Sequence, residues 1–285
     1  HPQGLPRARA PAGVGQDVTL RLLHFTDVHF DIEHDDACEA AAVMAHDLKP
    51  DLVVISGDIT QKGYKREFRS AAAWMRRLPE PQIVCPGNHD VPYYASLGRI
   101  AWPWARFDRM AGAEWRKGLE LPGLAVQALN TARGLQLRLN WSKGVVDLSD
   151  LDAAIARLRA APPDALRVLV CHHPLVEVTG GPMTGETKRG HEAARRLCEA
   201  EIDLIMTGHI HAPFATPLPF GDGKTVATGA STLSVRERGA AAGFNVLEIS
   251  DDLILVKAFG WKGGRFEAER TWALSRRRRD LANAA

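Results

Sequence analysis

The chain has no long apolar run, no closely spaced pair of cysteines and almost no net charge. Each lack removes a class of protein. Without about eighteen consecutive apolar residues, no transmembrane helix is expected. The four cysteines, Cys38, Cys85, Cys171 and Cys198, lie far apart and form no C-x-x-C. That spacing excludes a disulfide framework or a zinc knuckle and suits a reducing compartment, read here as the cytoplasm. A formal charge of +2 over 285 residues leaves no electrostatic footprint for nucleic acid. Residues 1–17, rich in Pro, Gly and Ala, lack the apolar centre of a signal peptide and read as a disordered leader. No internal repeat or low-complexity linker divides the remainder. Residues 18–272 therefore read as a single domain, and residues 273–285 as a basic tail. The one local charge excess is Arg276-Arg277-Arg278-Arg279. It reads as a solvated helix end, where cations suit the dipole, with peripheral contact to an acidic lipid as the alternative. Nothing in the pattern specifies an oligomer.

What is present is a series of short apolar strands, each ending in Asp or His. Val18 to Phe25 runs into Thr26-Asp27-Val28-His29. Residues 27 and 29 point to the same side of extended backbone and offer one oxygen and one nitrogen to a cation. A helix over Asp36 to Leu48, stopped by Lys49-Pro50, leads to a strand over Asp51 to Ile55 that closes on Ser56-Gly57-Asp58. A second helix, Tyr64 to Leu78, has Trp74 and Leu78 on its core face. Ile83-Val84-Cys85 then feeds Pro86-Gly87-Asn88-His89-Asp90, where Pro and Gly end the strand and turn the chain. The order β-α-β-α-β predicts parallel pairing, so Asp27, Asp58 and Asn88 emerge on one carboxyl edge, where open α/β sheets place their sites.

The pattern changes from about 92 to 118, where Trp102, Trp104, Phe107 and Trp115 cluster with Arg99, Arg106 and Arg109. This stretch reads as a helical insertion packed on the body or as a lid over the site. Leu124 to Asn130 and Gly134 to Leu139 read as a hairpin entering a second sheet. Ser149 caps a helix through Ala160, with Asp152 as the capping-box acid. A strand over Arg167 to Val170 ends at Cys171-His172-His173-Pro174. A helix over Glu192 to Ala200 and a strand over Ile202 to Met206 lead to Thr207-Gly208-His209-Ile210-His211, where the two histidines repeat the alternation of residues 27 and 29. Thr225 to Ala227, Phe244 to Ile249 and Leu253 to Phe259 read as strands of a second, more antiparallel sheet. The loop Thr179 to His191, with Gly180, Gly181 and Gly185, borders the pocket and makes Lys188, Arg189 and His191 candidates for substrate contact.

The rim inventory is therefore Asp27, His29, Asp58, Asn88, His172, His209 and His211. Carboxylates and imidazoles without thiolates suit manganese or iron first and zinc or cobalt next, rather than calcium or a structural zinc site. Seven donors are too many for one such ion and fit two if one carboxylate bridges. Two ions about 3.5–4 Å apart can hold a hydroxide and a phosphoryl group in line, which makes a hydrolase of phosphate esters.

In order, D-x-H, G-D, G-N-H-D, H-H-P and G-H-x-H resemble the calcineurin-like metallophosphoesterase family. The blocks run from Asp27 to His211, about two-thirds of the chain. The resemblance implies an α/β fold, a four-layer α-β-β-α sandwich of two mixed sheets with flanking helices, around a dinuclear metal site. By position it assigns Asp27, His29 and His211 to the first metal, Asp58 as the bridge, and Asn88, His172 and His209 to the second. His173 stands beside His172 as the alternative ligand. His89 is the imidazole that donates to the phosphate or leaving group without binding metal. Asp90 either orients His89 or caps the loop. The layout is similar to bacterial class III cyclic-nucleotide and glycerophosphodiester phosphodiesterases, which implies a small phosphodiester as substrate. A pyrophosphatase of a lipid-linked sugar nucleotide, a phosphomonoesterase and an inactive scaffold of the same fold are the other readings.

Overall fold

A computed structural model of the chain describes residues 20–93, 101–134, 142–177 and 187–279. The leader, the stretch 135–139 of the expected hairpin, Arg99 and residues 179–186 of the glycine-containing loop lie outside the described residues. The β-α-β-α-β order takes the form β1 (Leu20–Phe25), α1 (Asp35–Leu48), β2 (Leu52–Ile55), α2 (Lys65–Met75) and β3 (Gln82–Val84). The three strands pair in parallel, Leu22 beside Leu52 and Val53 beside Gln82. The apolar runs are fully buried because each strand is covered on both faces.

The chain continues with α3 (Ala105–Ala111), β4 (Leu119–Leu121), β5 (Leu124–Leu129), α4 (Leu148–Ala160), β6 (Leu166–Cys171), α5 (Gly190–Glu199) and β7 (Leu204–Thr207). After it come β8 (Phe214–Pro217), β9 (Val226–Gly229), β10 (Gly243–Ile249), β11 (Leu253–Trp261) and β12 (Phe266–Ser275). Among the described residues two six-stranded sheets form, ordered β12-β11-β10-β1-β2-β3 and β4-β5-β6-β7-β9-β8. Alternation along the strands builds the layers. Val126, Val168, Val170, Leu204 and Met206 face the core shared with β1, β2, α1 and α2. Their neighbours Ala125, Leu169, Cys171 and Ile205 face Leu151, Leu158 and Leu197 of α4 and α5. The result is a four-layer α-β-β-α sandwich of two mixed sheets.

Several local expectations need correction. β10 and β11 join the first sheet, because β1 pairs with β2 on one side only and its other edge takes β10, Leu20 opposite Ile249. Only β9 of that group enters the second sheet, parallel to β7. Among the described residues β5 pairs antiparallel with the upstream strand β4, across the turn at Gly123, while the downstream arm expected for its hairpin lies outside them. The cap of α4 is Asp147, whose carboxylate accepts from the Ser149 and Asp150 amides. Asp152 instead pairs with Arg196 of α5 at 2.8 Å. From the aromatic stretch, Phe107 and Trp115 pack edge-to-face into the core while Trp102 is 72% exposed.

The arginine run is no helix end. It follows β12 as irregular chain lying on the body. Arg277 donates to Asp203, Asp222 and the Ile202 carbonyl, and its side chain is only 3% exposed, that of Asp203 1%. Arg279 reaches both oxygens of Asp203 at 2.9 Å. Arg276 donates to two carbonyls and Arg278 pairs with Asp252. Breaking a buried ion pair leaves an uncompensated charge and typically costs about 3–5 kcal/mol. Arg277→Ala is expected at the low end, about 3 kcal/mol, because Arg279 still holds Asp203. The hydrogen bond from Arg277 holds the Asp222 carboxyl down to about 2. A depressed carboxyl stabilises the fold above its ordinary range and loses that contribution as pH falls through the folded value. Thermal melts should show a gap between wild type and Arg277→Ala that is largest near neutrality and narrows from about pH 4 toward 2. A gap constant across that window contradicts the role given to the Arg277–Asp222 pair.

Candidate metal centre

The carboxyl ends of β1, β2, β3, β6 and β7 meet at one rim, and the polar blocks follow directly from them. Backbone bonds lace the first two loops together: the Asp27 amide to the Gly57 carbonyl and the His29 amide to the Asp58 carbonyl, both 3.0 Å. Asp27, His29, Asp58, His209 and His211 all take left-handed backbone, with φ of 52°, 52°, 48°, 72° and 57°. Each such residue costs about 1–2 kcal/mol relative to right-handed backbone. Five of them at one spot is strain concentrated where the side chains converge.

Asp27, His29 and His211 form one group, in which His211 Nε2 lies 3.1 Å from Asp27 Oδ1 and 3.3 Å from His29 Nε2. Asp58 Oδ2 lies 3.2 Å from His172 Nε2 and 3.9 Å from His29 Nε2, so it faces both halves. His209 groups with His172 and His173, and His89 with His29 and Asp58, their donor atoms within 4.8 Å of one another. All are buried except His89, which is half-buried.

Outer contacts decide which atoms point inward. His172 Nδ1 is 2.8 Å from the Ser56 carbonyl and His211 Nδ1 2.7 Å from the Arg236 carbonyl. A carbonyl at Nδ1 places the proton there and turns an Nε2 lone pair inward. Asp27 Oδ2 accepts from Thr26 Oγ1 and the His209 amide, at 2.7 and 2.8 Å. The atoms left buried without a hydrogen bond include Asp27 Oδ1, Asn88 Oδ1 and His172 Nε2. Buried acceptors of this kind are costly unless a cation or donor meets them. His173 differs, since its two nitrogens lie 2.9 Å from Thr131 Oγ1 and the Ser142 carbonyl.

Electrostatics agree with this donor set. Burial pushes His29 and His209 down to about 3, so both are neutral, with lone pairs free, at ordinary pH. Burial would also lower His172, but Asp58 and Asp27 outweigh it and push that imidazole up to about 9. Burial opposes ionisation of Asp58 too, yet His172 and His89 hold its carboxyl well below the usual range. At His172 the two carboxylates thus favour positive charge. Burial raises the Cys171 thiol to about 12, so it offers no thiolate. Two carboxylates, four imidazoles and an amide oxygen fit a pair of borderline transition-metal ions.

His89 is held by its Nδ1 at 2.6 Å from the Gln61 carbonyl, which leaves Nε2 on the open side. Asp90 does not touch that ring. It caps the loop, accepting from the Gly87, Ile59 and Thr60 amides and the Thr60 hydroxyl. Of the substrate-contact candidates, Arg189 donates to the Val146 carbonyl and the His191 ring lies against that of Phe220. Sequence reasoning missed Gln61, Arg236 and Arg238. Arg236 lies 3.5 Å from His89 Nε2, and Arg238 donates to the His209 carbonyl at 3.2 Å. The signal for the arginines is that Val226–Gly229 is another parallel strand whose carboxyl end reaches the same rim.

A family model described as calcineurin-like phosphoesterase matches residues 20–213. A Synechococcus protein named "Probable cyclic nucleotide phosphodiesterase" is 26% identical over 255 residues, covering 84% of this chain and 91% of that protein. A Mycobacterium tuberculosis protein named "cAMP/cGMP dual specificity phosphodiesterase" is 24% identical over 275 residues, covering 85% and 80%. Among solved structures, a dimetal phosphatase from Danio rerio superposes with a TM-score of 0.64 at 12% identity, covering 91% of this chain and 99% of that one.

Proposed function

The chain belongs to the calcineurin-like phosphoesterase family and is a metal-dependent phosphoester hydrolase; from that premise we propose that it cleaves a small phosphodiester, a cyclic nucleotide or a close analogue. Asp27, His29 and His211 would hold one ion, Asn88, His172 and His209 the other, with Asp58 shared between them. His172 takes this role rather than His173, whose ring nitrogens both have protein partners. Bound there, two manganese or iron ions, or zinc or cobalt, supply Lewis-acid polarisation of the phosphoryl group and activation of water. In its doubly protonated form, with Nδ1–H donating to the Gln61 carbonyl, His89 presents Nε2–H to the substrate and delivers that proton to the departing alkoxide, leaving a neutral imidazole. The nearly complete burial of the donors keeps bulk water from competing for the reacting groups.

The observation that carries the reading is that Asp27 Oδ1, Asn88 Oδ1 and His172 Nε2, at the loops of one rim, are buried without a hydrogen bond. The diester preference draws support from the two relatives named for cyclic nucleotides, which align over most of their length. The four buried free cysteines fit a reducing compartment. Among the described residues no helix is long and apolar enough to cross a membrane.

Metal analysis of the purified protein, with a manganese-supplemented panel of bis(p-nitrophenyl) phosphate, p-nitrophenyl phosphate, cyclic AMP and a nucleotide diphosphate sugar, tests this. About two ions per chain and preferential diester cleavage are expected. Faster cleavage of the monoester or the sugar nucleotide would redirect the substrate class. Inactivity after metal reconstitution would overturn the enzymatic reading.

A further inference from the structure

The loop after β9 carries a residue whose backbone and side chain serve opposite sides of the rim. Thr232 Oγ1 donates to the Asp27 carbonyl at 2.5 Å and lies 2.7 Å from Ser234 Oγ. Ser234 Oγ accepts from the Arg236 amide at 3.2 Å, and the Arg236 carbonyl accepts from His211 at 2.7 Å. The Arg236 backbone is thereby pinned to two members of the donor cluster.

Its side chain crosses from the second sheet toward the loops of the first. Nη1 lies 3.4 Å from Gln61 Oε1 and 3.5 Å from His89 Nε2, both at the long limit of hydrogen bonding. Among the described residues no carboxylate lies within ion-pair distance of Arg236. Glu237, next in the chain, turns away to accept from the Ala242 amide. A half-buried guanidinium held beside the open nitrogen of a histidine is poised for an anionic oxygen between the two.

We propose that Arg236 is a substrate-contacting residue that, together with His89, holds an oxygen of the phosphoryl group. This rests on the hydrolase reading above. A guanidinium matches a tetrahedral phosphate with two parallel donors, which an ammonium cannot reproduce. Donors aimed at developing oxyanion charge are each worth about 10²–10³ in rate.

The test uses manganese-loaded protein, wild type against Arg236→Ala and Arg236→Lys, with inorganic phosphate as the probe. Calorimetry should show phosphate binding weakened about ten-fold or more in Arg236→Ala, with metal content unchanged because the backbone carbonyl to His211 survives. For bis(p-nitrophenyl) phosphate, kcat/KM should fall about 100-fold, and Arg236→Lys should recover only part of it. Equal phosphate affinity in wild type and Arg236→Ala overturns the proposal. So does loss of metal in parallel with binding, which would make the residue a structural support of His211. The phosphate measurement needs no turnover, so a failed substrate panel with weakened phosphate binding would sink the diester reading alone.

Discussion

Asp58→Asn is expected to lower metal-dependent turnover by about 10³-fold or more, and to reduce bound metal from about two ions per chain to below one. Asp58 faces His172 on one side and His29 on the other through a single oxygen. Its other oxygen accepts from the His89 amide at 2.8 Å. The asparagine variant keeps that acceptor and the side-chain volume, and Asn tolerates the left-handed backbone found here. What it removes is one buried negative charge and the inward-facing acceptor. The apo protein should therefore melt below wild type near neutrality, since the carboxylate that His172 and His89 hold well below its usual range is gone and the buried His172 imidazole loses its partner. Metal analysis, initial rates and apo melts on the same preparation separate loss of function from loss of fold. Retention of both ions and of turnover would mean that Asp58 is not shared between them.

The strand ends were legible because Gly or Pro stops most of the apolar runs, as at Gly57, Pro86-Gly87, Pro174 and Gly208, and because strand-helix-strand order forces parallel pairing. Asp27, Asp58 and Asn88 thus share an edge on sequence pattern alone. Sheet membership of the later strands was not legible. Nothing local in Phe244–Ile249 says that it will pair with β1, because that choice depends on which edge remains open. β12 escaped notice because its Glu, Arg and Thr give an edge strand little apolar periodicity. The acid partners of the arginine run, Asp203 and Asp222, lie 55 or more residues away, so their charge could not be read as compensated. Motif position favours His172 over the adjacent His173, and the ring contacts agree. Both rings lie beside His209, but the nitrogens of His173 are taken up by Thr131 and Ser142. Arg236 follows from the edge rule once β9 is known to be parallel to β7.

Gly208→Ala, a single methyl group, is expected to disable the same site by packing alone. A Cβ at residue 208 would lie 1.9 Å from Thr26 Oγ1 and 2.6 Å from Asp27 Oδ2, inside any attainable contact. Neither atom can retreat freely. Thr26 is fully buried and donates to Asp27, whose same oxygen holds the His209 amide. The methyl group must therefore part the ends of β1 and β7, carrying Asp27 away from His209 and His211. Overpacking of this kind costs about 1–3 kcal/mol or more, about 2–12 °C in a domain of this size, with metal content falling alongside. Gly223→Ala is the matched control. Its Cβ meets nothing within 4 Å, so only the positive φ of 68° is strained, at about 1 kcal/mol. Thr26→Ala removes the nearest obstructing atom, so the Thr26→Ala/Gly208→Ala double variant should regain part of the metal that Gly208→Ala alone loses. That non-additivity is the signature of direct contact between the two positions. If Gly208→Ala instead melts like the control and keeps its metal, the two strand ends do not approach as closely as the glycine implies.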